Sequence, residues 1–420
     1  MAKRPLEATD WDSLRFEANE LFTPSAPIGV ADLFAGRQTQ INRLVDVVAE
    51  RGRHAIIYGE PGVGKTSIAQ ILRYVIPTRT SSIRYIRKAA FSSDTFSSLW
   101  LSVFREMSFM HEGSQHAVSD LYQAGVTPAD VVRELGMFSE NDIPIVVIDE
   151  YNLVKDSSTS QMMAETIKAI SDASLKVTVV IVGISDSVSD LLAGHESIGR
   201  CSEEVLMPRM ANEEMRDVLE RRVKRLGMAI EGDAKWKIIN LSKGLPAFAH
   251  GLGKGAVMSA ISNRRKTVRE TDVDSAIDEV LNSSWNTLKS EYEVATHSNQ
   301  EKARYKQILT ACALAQSDEI GYFIPKEVQG PLSIILGRQI GIDGFNDNLK
   351  DFTESKRGRV LQRKGQARIF RYRFRNPAMQ PYVIMKGIQD GLLDESARIA
   401  LSAPEQPSLF PIDPLRPSEQ

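Results

Sequence analysis

The first half of the chain alternates two hydrophobic patterns. A short apolar run at residues 54–58 reads as a buried strand, and further strands are expected at 83–87, 143–149, 177–183 and 204–207. Between them, apolar residues recur at helical spacing over residues 67–75, 96–107 and 162–171. Runs of Val and Ile with no polar alternation imply strands covered on both faces, as a parallel sheet flanked by helices requires. The pattern predicts an α/β fold. After Pro208 it changes: residues 212–226, 233–242, 247–264 and 271–281 read as helices with few strands between them, and residues 283–300 as a polar connector.

A third region begins near Lys302. Helical spacing covers residues 305–315, 325–336 and 344–354, and two strands at 359–363 and 368–375 meet around the turn residues Lys364-Gly365. Three helices followed by a β-hairpin is the winged-helix order. The predicted organisation is therefore a polar N-terminal segment (1–27), a sheet-bearing core (28–207), a helical lid (208–290), a winged-helix domain (300–385), and a helix end with a Pro-rich tail (386–420) that is expected to be disordered.

Composition narrows the setting. The 420 residues are 42% hydrophobic and 25% charged, with a net charge of -2, so nucleic-acid binding would have to come from a local patch. Cys201 and Cys312 are too few for a disulfide framework and too isolated for a zinc site. The first ten residues lack a signal-peptide apolar stretch, and no apolar run reaches 18 residues, so the expected location is cytoplasmic with no membrane partner. The six histidines show no metal-ligand spacing.

The chemistry lies at the ends of two predicted strands. Gly59-Glu60-Pro61-Gly62-Val63-Gly64-Lys65-Thr66, followed by Ser67, fits G-x-x-x-x-G-K-[ST] after a strand and before a helix. Glycines let backbone N–H groups turn inward around phosphate oxygens, and the helix N-terminus adds positive potential. Lys65 is the candidate for neutralising the β/γ-phosphates, and the Thr66 hydroxyl is a candidate Mg²⁺ ligand. The run Ile145-Val146-Val147-Ile148 ends in Asp149 and Glu150. Asp149 is expected to hold Mg²⁺, and Glu150 to polarise the attacking water, which makes ATP and Mg²⁺ the expected cofactors and ATP hydrolysis the expected reaction.

With Phe34-Ala35-Gly36-Arg37 ahead of the phosphate loop, the two carboxylates, the lid and the winged-helix order, the chain resembles AAA+ ATPases of the initiator (origin-recognition-like) clade and their relatives in transposition and defence. The resemblance, over residues 28–385, implies nucleotide bound between core and lid and ATP-dependent homo-oligomers. It places Phe34 and Arg37 at the adenine pocket, Ser185 or Asp186 at the γ-phosphate sensor, and Arg200 where an arginine finger would reach a neighbouring subunit. The lid segment Gly244-Leu245-Pro246-Ala247 departs from it, with Ala247 where a sensing arginine is usual.

From residue 356 to 375 there are nine Lys and Arg and no acid. Arg371, Arg373 and Arg375 alternate with Tyr372 and Phe374, giving a strand with one basic face. With Arg363, Lys364 and Arg368, this predicts phosphate contacts to duplex DNA through the wing. In the tail, Gln406, Leu409 and Phe410 form a candidate docking motif for a protein partner. Three outputs share these features: a DNA-engaging regulator or loader, a signalling or defence ATPase of STAND type whose output is a partner effector, and a target-selection ATPase of transposition.

Overall fold

The computed structural model describes residues 10–23, 34–77, 81–192, 195–283, 286–298, 303–366 and 369–393. In chain order the elements are α1 (Trp11–Leu21), α2 (Gln38–Ala49), β1 (His54–Gly59), α3 (Lys65–Val75), β2 (Ser82–Ala89), α4 (Phe96–Phe104), β3 (Ser108–His111), β4 (Ser114–Ala117), α5 (Pro128–Leu135), β5 (Asp142–Asp149), α6 (Ser157–Asp172), β6 (Thr178–Ile184), α7 (Val188–Leu191) and β7 (Ser202–Leu206). There follow α8 (Asn212–Arg225), β8 (Ala229–Ile230), α9 (Gly232–Ser242), α10 (Pro246–Ser262), β9 (Thr267–Val268), α11 (Glu270–Ser283), α12 (Asn286–Thr296), α13 (Tyr305–Leu314), α14 (Pro325–Leu336), α15 (Asn346–Asp351), β10 (Leu361–Lys364), β11 (Arg371–Phe374) and α16 (Met379–Gln389).

The central sheet has the order β2-β5-β6-β1-β7, and every pair in it is parallel. Its two faces feed different cores. Ile57, Ile145, Val147, Val180 and Val182 join one cluster, while their neighbours Ile56, Val146, Ile148, Val179 and Ile181 join the other. That alternation is the period of a strand buried on both sides, which explains why residues 145–148 and 179–182 are continuously apolar. The first cluster continues without a break into the helices after Pro208 and on to Phe323, Tyr372, Phe374 and Met379.

Three elements lie outside the sequence expectations. The predicted connector at 283–300 contains α12, held by buried Leu288, Tyr292 and Ala295. These three alone supply its apolar stripe, too sparse to stand out among polar neighbours. The N-terminal segment contains α1, whose buried Leu14 and Ala18 continue to Phe22, packed edge-on to His250 of α10. Its cap is local: the Asp10 carboxylate accepts from the N–H groups of Asp12 and Ser13. A small antiparallel hairpin, β3–β4, turns at Glu112-Gly113, both at positive φ, and was not expected.

Beyond α12, three helices lead to the antiparallel pair β10–β11, with Phe323 adding a bridge to Tyr372. α16 then closes this unit against α13 and reaches back to the lid helices α9 and α11.

Candidate nucleotide-binding site

The phosphate loop is shaped by its glycines. Gly59, Gly62 and Gly64 all have positive φ, at 145°, 81° and 95°. For Gly62 and Gly64 the requirement is conformational, since a side-chain carbon there would meet nothing. For Gly59 it is also steric: such a carbon would lie 2.5 Å from the Met207 carbonyl oxygen. Lys65 opens α3 and is buried; its Nζ donates to the carbonyls of Gly59 at 3.0 Å and Glu60 at 2.6 Å. Burial pushes the ammonium down to about 8, opposed by the charges of Asp149 and Glu60. Lys65 is thus a desolvated cation folded onto its own loop, a group with much to gain from an anion.

β5 delivers the two carboxylates. Asp149 is 2% exposed; its Oδ2 accepts from Arg87 Nη2 at 2.6 Å and Nε at 3.2 Å, and its Oδ1 from the Glu150 N–H at 2.9 Å. Glu150 is exposed and sits at φ 55°, a left-handed conformation unfavourable for a side chain of its kind. Asn152 ties this corner to the next strand by accepting from the Ile184 N–H at 2.8 Å. Among the described residues, no group of three or more His, Cys, Asp or Glu is placed to hold a metal. The oxygen donors here are the Asp149 carboxylate and, at the head of α3, Thr66.

Arg37 is 3% exposed. Its Nη2 donates to the carbonyls of Val63 (3.1 Å) and Pro208 (2.5 Å), and its N–H to Glu214 Oε1 (2.6 Å). It is a strut joining the phosphate loop, the hinge after β7 and lid helix α8, rather than a pocket-lining side chain. Phe34 is half-buried against the larger core, next to this strut in sequence.

The residues expected to sense the terminal phosphate are occupied elsewhere. Ser185 Oγ donates to the Ser187 carbonyl. Asp186 faces the C-terminal unit, accepting from Tyr322 Oη at 3.0 Å and pairing with Arg373 at 2.7 Å. Arg200 lies on the surface, 70% exposed, paired with Asp172 at 2.7 Å.

The basic face expected on the wing is divided. Tyr372 and Phe374 are buried and Arg371 and Arg373 share the opposite face, as their alternation requires. Yet that face turns inward. Arg373 is 14% exposed, pairs with Asp186, donates to the Ile320 carbonyl at 3.2 Å and stacks on Tyr322 at 4.6 Å. Arg371 pairs with Asp318 at 3.0 Å and keeps about half its surface. Arg373 is therefore corrected from a free phosphate contact to an interface residue: Asp186 and Tyr322, distant in sequence, claim its charge. Arg363 and Lys364 are exposed, with Arg363 lying 4.2 Å above the Phe370 ring. Arg368 and the tail residues Gln406, Leu409 and Phe410 lie outside the described residues.

A residue absent from the sequence reading joins these parts. Arg209, just past the sheet, donates through Nε to Glu60 Oε2 at 2.7 Å, while Nη1 donates to the Gln380 side chain of α16. Its own N–H reaches the Glu319 carbonyl at 3.3 Å, and Gly321 packs on the same pair so tightly that a side-chain carbon there would lie 2.5 Å from Glu60 Oε1. One arginine thus touches both the phosphate loop and the C-terminal unit. Its one sequence hint is a charge at Pro208-Arg209, where an apolar strand gives way to the hinge.

The sequence profile described as Novel STAND NTPase 1 matches residues 28–255. No curated protein matches the chain. Among solved structures it is similar to the Aeropyrum pernix ORC2 protein in ADPNP–ADP complexes, with 14% identity over 90% of this chain and 99% of that one, TM-score 0.51. It is also similar to the Walker-type ATPase PABY2304 of Pyrococcus abyssi, with 16% identity over 86% and 99%, TM-score 0.52. At these identities the likeness is one of fold: a parallel sheet with flanking helices, followed by a helical C-terminal part.

Proposed function

The chain belongs to the Novel STAND NTPase 1 family, and from that premise we propose that it is an ATP-hydrolysing switch whose C-terminal helix–hairpin unit is held on, or released from, the nucleotide site. The observation that carries this reading is Arg209, which bonds Glu60 of the phosphate loop and Gln380 of α16 at once. A second clasp, Arg373 and Tyr322 on Asp186, lies where the γ-phosphate sensor is expected. Nucleotide that reorganises the loop or the sensor works directly against these contacts. Output then passes to a partner protein through the surfaces that release exposes.

Within this reading, Lys65 and the backbone of residues 59–64 bind the phosphates. Thr66 and Asp149 are the oxygen donors that fit Mg²⁺, a hard cation that supplies charge neutralisation at the phosphates when bound. Glu150, exposed and held in a strained turn, is the base for the attacking water. Homo-oligomerisation with Arg200 reaching a neighbouring subunit fits its 70% exposure.

A second reading, engagement of duplex DNA, is favoured by one feature. Arg359, Arg363 and Arg375 line an open cleft on the hairpin, with Lys364 exposed beside them. These cations, rather than Arg373, would contact phosphates.

Linkage gives the test. If docking and nucleotide state are coupled, undocking by Arg373→Glu must change the ratio of ATP to ADP affinities in the purified protein. A shift of about tenfold toward ATP is expected, within the usual range of such couplings. An unchanged ratio in a well-folded Arg373→Glu protein counts against the switch.

A further inference from the structure

Arg87 has no place in the chemistry described so far, yet it holds the buried carboxylate on which metal binding would turn. β2 pairs with β5 so that Ala89 lies opposite Asp149 and Arg87 opposite Val147. Arg87 is therefore one pleat repeat back on the same face, and its guanidinium reaches diagonally across. Both of its short contacts end on one atom: Nη2 at 2.6 Å and Nε at 3.2 Å from Asp149 Oδ2. The other oxygen, Oδ1, is taken by the Glu150 N–H. Every direct donor to this carboxylate is thus accounted for, and Lys65, which donates to loop carbonyls, is not among them.

We propose that Arg87 is a gate on Asp149, occupying Oδ2 while no divalent cation is present and giving it up when the cation binds. The proposal rests on the nucleotide reading of the site. A guanidinium and a divalent cation cannot share one buried oxygen, because two positive centres a few ångströms apart repel strongly where water is scarce. Among the described residues Arg87 is the one side chain that donates directly to Asp149, so it holds the carboxylate aimed. Arg87 also has somewhere to go: it is 28% exposed, whereas Asp149 is 2% exposed. Among the described residues Asp149 is its one ion-pair partner, so no second carboxylate holds the guanidinium in place. Arg87 acts through Asp149 and is a positioning residue.

The test is a Mg²⁺ titration of fluorescent-ADP binding to the full chain, comparing wild type with Arg87→Gln and Arg87→Lys. Removing a charge-assisted competitor lowers the free Mg²⁺ needed for half-maximal binding by about tenfold in Arg87→Gln. Lysine, which keeps the charge but not the two-pronged contact, falls between. An unchanged or higher Mg²⁺ requirement in Arg87→Gln, with a melting temperature near wild type, overturns the gate and leaves the nucleotide reading standing. Should Arg87→Gln fail to fold, an unchanged half-point in Arg87→Lys overturns it equally. Wild type that binds no nucleotide at any Mg²⁺ concentration overturns the nucleotide reading itself, and this proposal with it.

Discussion

The phosphate loop and the C-terminal unit meet through Glu60, Arg209 and Gly321 but are built on opposite principles. The loop is local: three glycines at positive φ and a lysine donating to carbonyls five and six residues away fix it within eight residues. The position of the C-terminal unit is not local. It rests on Arg209 with Glu60, 149 residues apart, on Arg209 with Gln380, 171 apart, and on Tyr322 with Asp186, 136 apart. A locally determined loop does not depend on the C-terminal unit for its shape, whereas a clasp of a few long-range polar contacts is free to open. The difference marks which part of the molecule is scaffold and which is switch.

The largest effect is expected at the join. Arg209 is 10% exposed and Glu60 2%, so Arg209→Ala leaves a buried carboxylate and the Gln380 side-chain oxygen without their donor. Breaking one side of such a pair costs about 3 kcal/mol, read as a lowered denaturation midpoint in urea. Loss of well under 1 kcal/mol would mean the clasp is ornamental.

Acid should weaken the folded protein through two buried histidines. His54 in β1 and His250 in α10 are buried as hydrogen-bond acceptors, from Val179 and Thr23 N–H, and burial pushes them down to about 4 and about 3. Their folded values lie below the ordinary value of 6.5, so the unfolded chain takes up protons first. Stability is present above pH 6.5 and declines as pH falls toward 4, by roughly 1.4 kcal/mol per unit per histidine. His54→Gln should flatten that slope in a pH series of urea melts; an unaltered slope would remove His54 from the account.

The two hairpin arginines sharpen the contrast further. Arg373, nearly buried on Asp186, should cost about 1–2 kcal/mol as Arg373→Ala. Arg371, about half exposed on Asp318, should cost a few tenths at most after solvent screening. Equal effects would show that the hairpin is not seated on the core through its inner edge.

What the sequence disclosed follows the same division. Continuous Val and Ile runs marked the central strands β5 and β6, which are buried on both faces, whereas the edge strands β2 and β7 carry Arg84, Arg87, Glu203 and Glu204 and offered only shorter apolar stretches. The phosphate motif was legible because its chemistry is a short string. α12 escaped because its stripe is three residues among polar neighbours, and α1 because Leu14, Ala18 and Phe22 are as thinly spread. Arg87, Arg209, Tyr322 and Gln380 escaped for a different reason. Each is an ordinary polar residue whose meaning comes from a partner far along the chain, a pairing no periodicity records. Arg373 was read as a free cation because alternation shows that a face is basic, not what it faces.

The central claim, that nucleotide state controls the clasp, is tested most directly by amide hydrogen exchange at residues 318–323 and 371–374, which carry Asp318, Tyr322, Arg371 and Arg373. Exchange is compared with no nucleotide, with ADP and with ATP in Mg²⁺ on the Glu150→Gln protein, which is expected to hold ATP unhydrolysed. The account predicts protection of both segments without nucleotide and with ADP, and at least tenfold faster exchange with ATP. Identical protection in all three states, with ATP shown to be bound, would contradict it.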